Sequence, residues 1–270
     1  MNAVENLLLA VVIYEPTLEQ LKNIQKLRNL EIDFVVFQNS LFPKSDIPVL
    51  GNGVNVGVAA AYNNIFEYAK KRGKEFVLLL DQDTSYINTQ NFHQIILELL
   101  SEFNLNKRLG AVGMKFNQNQ TNDQFTPYIL TSGTMYCVKY INSIGGFEEK
   151  LFIDEVEILA HMKLMINGYS VLSKFDYCMG HTVGDPIHLK IGKYKLNTTN
   201  HSPIRRYYMT RNRLNTKWSM RRHLIDVRPP IKSLIFEAIR VLLLERQKLL
   251  KLYYMYAGIR DFIKSKYGQY

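Results

Sequence analysis

Apolar and polar positions fall into blocks along the first half of the chain, and the blocks have two periods. Leu7 to Ile13 is an unbroken apolar run that stops at Tyr14-Glu15-Pro16; Thr17-Leu18-Glu19-Gln20 then opens a pattern with apolar residues at Leu21, Ile24, Leu27 and Leu30. The first predicts a buried strand and the second an amphipathic helix. Ile32 to Phe37 predicts a second strand, ending in Gln38-Asn39-Ser40, and the glycine-rich stretch Leu50 to Gly57 feeds an Ala-rich helix from Val58 to Lys71. Phe76 to Leu80 is again wholly apolar and ends abruptly in Asp81-Gln82-Asp83-Thr84. Runs without period-2 alternation belong to strands covered on both faces. Strand, helix, strand, loop, helix, strand is the order of a parallel βαβ half-domain with right-handed crossovers.

Further along, Asn91 to Phe103 predicts a helix, Leu109 to Phe116 a strand and the amide-rich Asn117 to Gln124 a surface loop. Ile129 to Val138 is strand-like but broken at Ser132-Gly133, where the glycine admits a close approach of backbone or ligand. Ile144 to Glu149 reads as a turn, Leu151 to Asn167 as a helix stopped by Gly168, and Ser170 to Cys178 as the last strand.

With 270 residues, 47% of them hydrophobic, the chain is long enough for one large domain with an appendage. Cys137 and Cys178 lie far apart and outside metal-ligand spacing, which speaks against a disulfide framework or zinc site and for a reducing compartment. The first residues lack the basic lead of a secretion signal, and no uncharged apolar run reaches about 18 residues, so no segment is expected to span a membrane. The net charge of +10 is unevenly placed: His201 to Tyr270 holds sixteen Lys/Arg against four acidic residues, leaving eighteen against twenty in the first two hundred. That tail is expected to meet an anionic partner.

The carboxyl ends of strands are where ligands of open α/β sheets collect, which draws attention to Asp81 and Asp83. Two carboxylates crowded there repel unless a cation or substrate lies between them, and a hard divalent ion that keeps positions for phosphate oxygens fits. An acidic turn capping the next helix is the structural alternative. Asp154, Glu155 and Glu157 gather at a helix start, where the macrodipole alone favours acids. Glu157, on the first turn beside such a site, could also act as a general base toward an incoming hydroxyl. His181 is either a structural histidine after a strand or a further metal ligand.

Tyr14-Glu15-Pro16, Asn55-x-Gly57-x-Ala59-x-Ala61-x-Asn63, Leu80-Asp81-Gln82-Asp83-Thr84 and Ser132-Gly133-Thr134 follow one another in this order. After them come Gly145-Gly146-Phe147-Glu148-Glu149-x-Leu151-Phe152-Ile153-Asp154, Gly168-Tyr169, His181-x-x-Gly184 and Tyr207-Tyr208-x-x-Arg211-Asn212. The combination resembles bacterial family 2 glycosyltransferases, in their rhamnosyltransferase-like branch, over residues 7–215. Three stretches depart from that family: Gln38 stands where it has Asp toward the nucleotide base, Ile13-Tyr14-Glu15 replaces Thr-Tyr-Asn, and Leu159, Ala160 and Lys163 replace an acid, an aromatic and an Arg.

The resemblance implies a GT-A fold: a Rossmann-like mixed α/β sheet flanked by helices, in a domain 1–215, followed by a basic helical region 216–270. It implies that Asp81, Asp83 and His181 hold Mn²⁺ or Mg²⁺, with Glu157 as catalytic base and Asp154 beside it. Tyr14, Gln38, Asn55, Gly57, Asn63 and Asp81 would bind the nucleotide-sugar, and Ser132, Gly133, Arg211 and Asn212 the acceptor and diphosphate side. The implied reaction inverts the sugar carbon, with dTDP-rhamnose the favoured donor and a lipid-linked or growing surface polysaccharide as acceptor. A UDP-hexose donor is the alternative, and a catalytically degenerate nucleotide-sugar-binding scaffold is an alternative of another class.

From Trp218 onward, Lys and Arg punctuate the apolar clusters Leu234 to Phe236, Val241 to Leu244 and Leu249 to Tyr256, with Pro229-Pro230 marking a helix start. Basic amphipathic helices with aromatics suit an anionic membrane surface, which implies a cytoplasmic protein peripheral on the inner membrane. Packing on the chain's own domain or in a homodimer is the alternative; no nucleic-acid-binding motif accompanies the charge.

Overall fold

The structure, a computed structural model of the chain, describes residues 4–41, 48–84, 89–114, 120–176, 187–191, 194–223 and 230–270, with the backbone alone at 89–91, 187–191, 194–197 and 230–231. Its contacts divide it into two units, Met1–Glu149 with Val156–His181, and Lys150–Glu155 with Thr182–Tyr270.

The first unit is an α/β sandwich. β1 (Leu7–Ile13), β2 (Phe34–Gln38), β3 (Val49–Leu50) and β4 (Phe76–Asp81) are mutually parallel and alternate with α1 (Leu18–Gln25) and α2 (Gly57–Lys71). Thr17 starts α1 through a reciprocal capping box with Gln20, which satisfies two amides that the first helical turn leaves without a partner. After α3 (Thr89–Leu105) come β5 (Leu109–Met114), β6 (Gln124–Phe125), β7 (Thr134–Cys137), α4 (Val138–Ser143), α5 (Val156–Ile166) and β8 (Ser170–Lys174). The eight strands run in the order β3-β2-β1-β4-β7-β5-β8-β6, and β7 makes the sheet mixed by pairing antiparallel with β4 and β5. Leu7, Leu9, Val11 and Ile13 of β1 and Leu78 and Leu80 of β4 meet Ile24, Leu27, Ile96 and Leu99 in the core. Each such burial stabilises the fold by about 1.5–3 kcal/mol.

The second unit contains the hairpin β9 (Ile187–Ile191) and β10 (Tyr194–Thr198) and the helices α6 (Pro203–Met220), α7 (Pro230–Leu244) and α8 (Lys248–Ile263). Helices α6 and α8 cross closely at Gly258, where a Cβ would come 2.7 Å from the Tyr207 carbonyl oxygen and 3.1 Å from the Arg211 nitrogen. The fully buried Arg211 donates to the carbonyls of Leu151 (3.0 Å) and Gly268 (2.9 Å), while the Gly268 amide donates to Lys150 O (2.9 Å).

Several expectations are corrected in detail. The helix expected from Leu151 begins only at Val156, because Phe152, Asp154 and Glu155 have φ of 68°, 62° and 65°, outside the right-handed helical region. The strand expected over 129–138 is confined to Thr134–Cys137, and the last strand of the first unit ends at Lys174. The amide-rich stretch is not all surface: Gln120 is buried, donating to Ser173 O (2.9 Å) and accepting from Ser173 Oγ (2.8 Å). The hairpin β9-β10 was not anticipated, and position 215 falls inside α6, in the same unit as α7 and α8.

Candidate active site

Parallel register brings three strand ends to one edge of the sheet, with Gln38 opposite Ile13 and Asp81 opposite Val12. Asp81 is half-buried and Asp83 exposed, at the carboxyl edge where the crevice of such sheets lies. The turn that carries them is held from two sides. Gln82 faces the end of β1: its Oε1 accepts from the Tyr14 amide (2.7 Å) and its Nε2 donates to the Tyr14 carbonyl (3.0 Å). Ser132 Oγ accepts from the Asp81 amide (3.1 Å) and shares a hydrogen bond with Thr84 Oγ1, while the Gly133 amide donates to Leu79 O (2.8 Å). Gly133 has φ 79°, a conformation that costs glycine little. Ser132 and Gly133 thus stand behind the turn and fix its backbone.

The neighbouring loop is organised by amides. Asn39 Oδ1 accepts from the Val56 amide (2.9 Å) and Asn55 Oδ1 from the Gly57 amide (3.0 Å), satisfying donors that the start of α2 leaves open. Gln38 Nε2 donates to Gly51 O (3.1 Å). A carbonyl can only accept, so the orientation of that amide is fixed and Oε1 is its other face. Gly51 has φ 80°, and a Cβ there would lie 2.9 Å from the Gln38 carbonyl oxygen and 3.1 Å from the Phe37 ring. Tyr14 is exposed beside this loop. Asn63, expected among the nucleotide-sugar ligands, spends its side chain on the Gly146 turn: Oδ1 accepts from the Phe147 amide (2.8 Å), and Nδ2 donates to Phe147 O (2.9 Å) and Glu149 Oε1 (2.8 Å).

Glu157, on the first turn of α5, shares two neighbours with Asp81. Burial pushes the phenols of Tyr62 and Tyr136 well above their usual range, and both carboxylates push them further. Asp81 acts more strongly than Glu157 on Tyr62, and Glu157 more strongly than Asp81 on Tyr136. Because Coulomb energy falls with distance, both carboxylates lie near this pair of buried rings. Phe147 closes the cluster, with ring centroids 5.2 Å from Tyr62 and 5.8 Å from Tyr136. One turn beyond Glu157, the buried His161 bonds Tyr136 OH through Nε2 (2.9 Å) and Pro127 O through Nδ1 (2.9 Å). Burial lowers its pKa to about 4, so the ring is neutral; Nδ1 must donate to the carbonyl and Nε2 accepts from the tyrosine.

Asp154, Arg211 and Asn212 belong to the second unit. Arg205 clasps the Asp154 carboxylate with contacts of 3.0 to 3.3 Å. Asn212 Nδ2 donates to the carbonyls of Leu151 (2.8 Å), Ile153 (2.6 Å) and Asp154 (3.1 Å), and with Arg211 it clamps the left-handed segment that carries Asp154. Both clamp residues are fully buried, so their observed partners are the chain itself. His181 lies outside the described residues. Among the described residues no third His, Cys, Asp or Glu joins Asp81 and Asp83 in a metal-binding group. Gln82, Tyr62, Tyr136 and His161 were not singled out from sequence; only the place of Gln82 between two candidate carboxylates offered a signal.

No family model matches the chain. A curated relative, the dTDP-rhamnosyl transferase RfbF of Shigella flexneri, is 24% identical, over 93% of this chain and 92% of that protein. Among solved structures, GalNAc-T7 crystallised with UDP, GalNAc and Mn²⁺ superposes with a TM-score of 0.53 at 10% identity, covering 80% of this chain and 48% of the other. TarS of S. aureus, residues 1–349, superposes with a TM-score of 0.47 at 16% identity, covering 96% and 72%. The chain has a GT-A fold, and the proteins it resembles in sequence and in fold are transferases that use nucleotide sugars.

Proposed function

We propose that the chain is an inverting glycosyltransferase that takes a sugar from a nucleoside diphosphate. The observation that supports this is that Asp81, at the end of β4, and Glu157, on the first turn of α5, both act on the buried Tyr62 and Tyr136, the proximity that a diphosphate anchor and a base of one site would need. Glu157 removes the proton from the acceptor hydroxyl as its oxygen attacks the sugar carbon from the face opposite the leaving diphosphate, so one base suffices and the carbon inverts. Asp154 has its carboxylate held by Arg205, and Glu157 is the acid on the first turn of α5. Asp81 and Asp83 are hard oxygen donors that fit Mg²⁺ or Mn²⁺ shared with phosphate, with His181 as a further candidate ligand; the ion, when bound, offsets charge on the leaving group.

Gln38 Oε1 suits the N3–H of a pyrimidine, and Tyr14 the face of the base. Thymine and uracil both present that N3–H, so this contact accepts dTDP-rhamnose, favoured by the RfbF likeness, and equally a UDP-hexose. The acceptor is assigned as a lipid-linked or growing surface polysaccharide, and the protein as cytoplasmic and peripheral on the inner membrane. No described helix is long and apolar enough to cross a membrane.

Turnover of dTDP-rhamnose and a panel of UDP-hexoses with Mn²⁺ tests the reading. Glu157→Gln is expected to lower turnover by roughly 10²- to 10⁴-fold and Asp83→Ala to lower it comparably. Unchanged turnover of every donor in both variants, or no turnover in the parent, overturns it.

A further inference from the structure

The second unit turns its negative charge inward. Of the four acidic residues after position 200, Glu237, Glu245 and Asp261 are described, and each is engaged within the unit: Glu237 by Arg206 and Arg213, Glu245 by Arg206, Lys251 and Thr198, and Asp261 by Tyr207 and Arg260. Lys232, Arg240, Arg246 and Lys248 are exposed. Among the described residues, the charge presented by α7 and the bend after it is therefore positive.

On the same helix, Leu234 and Val241 point inward, while Ile235, Phe236, Ile239, Leu242 and Leu243 lie exposed; Phe236 is 63% and Leu243 55% accessible. The spacing i, i+1, i+4, i+7, i+8 puts these five on one stripe of the helix, with Lys232 within it and Arg240 at its border, and the exposed Arg246 follows in the bend after the helix. A helix of 15 residues is about 22 Å long, short of the roughly 30 Å hydrocarbon layer, so such a stripe lies along a bilayer rather than through it. A second copy would set one cationic border against another, because a two-fold interface pairs the same patch with itself.

We propose that the outward face of α7 is a membrane-lying surface that sinks Ile235, Phe236, Ile239, Leu242 and Leu243 to the headgroup boundary of an anionic bilayer, with Lys232, Arg240 and Arg246 meeting the headgroups. It deepens the peripheral placement given above and gives that placement its residues; binding itself needs no donor turnover. The test uses the full chain with phosphatidylcholine vesicles and with 3:1 phosphatidylcholine:phosphatidylglycerol vesicles, in co-sedimentation at low and high salt. The parent is expected to bind the anionic vesicles selectively and to release with salt. The double variant I235E/L242E and the triple variant K232E/R240E/R246E are each expected to lose about tenfold or more of that binding. The milder Phe236→Ser and the thermal midpoint of each variant separate this loss from unfolding. Retained vesicle binding in the folded I235E/L242E variant overturns the proposal. So does a parent dimer in light scattering that this variant splits while vesicle binding persists, which would assign the face to a second copy. Vesicle binding without donor turnover sinks the enzymatic reading and leaves this surface standing.

Discussion

The two units bury polar groups in opposite ways. Around the strand ends of the first unit the buried groups are neutral, namely Tyr62, Tyr136, His161, Ser132 and Thr84, and the carboxylates Asp81, Asp83 and Glu157 stay at the margin. The second unit buries whole charges, with Arg206, Glu245 and Lys251 all close to solvent-free. Neutral hydrogen bonds are inexpensive to bury, whereas buried ions consume each other's field and serve to fix one packing. The contrast separates an edge of neutral buried groups with carboxylates at its margin from a core cross-braced by ions.

The largest effect expected from breaking this contrast is in the second unit. Burial alone pushes Glu245 up, and its bonds to Lys251 and Thr198 with the charge of Arg206 outweigh it. Glu245→Ala leaves Arg206 and Lys251 without their anion and is expected to destabilise the chain by about 3–5 kcal/mol in denaturant melts. Replacing Arg206, Glu245 and Lys251 together by apolar residues of similar volume is expected to cost far less; equal losses in both variants would show that the charges are not coupled.

A somewhat smaller effect is expected at His161. Its folded pKa of about 4 lies below the unfolded 6.5, so the unfolded chain binds the extra proton between those values. The stability due to the neutral ring is complete above pH 6.5 and is lost as pH falls toward 4, by about 3 kcal/mol. The stability-against-pH curve of His161→Gln should lack that part of the slope, and parallel curves for parent and variant would contradict it.

The smallest expected effect sharpens the first unit. Gln82→Glu removes the donor to the Tyr14 carbonyl and adds a third carboxylate between Asp81 and Asp83. The loss in stability is expected to be about 1 kcal/mol, while binding of a nucleoside diphosphate changes more than the melting temperature does. The reverse order of sensitivity would make the clasp purely structural.

The strands β1, β2 and β4 were legible because each is a wholly apolar run ended by polar residues, a pattern that survives without any knowledge of partners. The acids Asp81, Asp83 and Glu157 were legible by type and place. What escaped is what depends on long-range company. Ser132, Asn63, Arg211 and Asn212 were expected as ligand contacts; in the structure Ser132 bonds to the Asp81 turn, Asn63 to the Gly146 turn, and Arg211 and Asn212 to the left-handed segment, partners that polarity in a sequence does not reveal. The left-handed backbone at Phe152, Asp154 and Glu155 was illegible because no glycine marks it. Tyr136 and His161 were not singled out because their value lies in one bond between them.

The bond between Gly268 and Lys150 also sets an order of events during synthesis. At cellular rates of translation roughly ten seconds pass between the appearance of these two residues. In that interval Arg211 lacks its Gly268 acceptor, and the face of α6 that later receives α8 is bare. The first unit has its strands through β8 available by then and can close, while the second waits for its last helix. A nascent chain halted before α8 should therefore carry the strands of the first unit and an α6 whose α8-facing side is still bare.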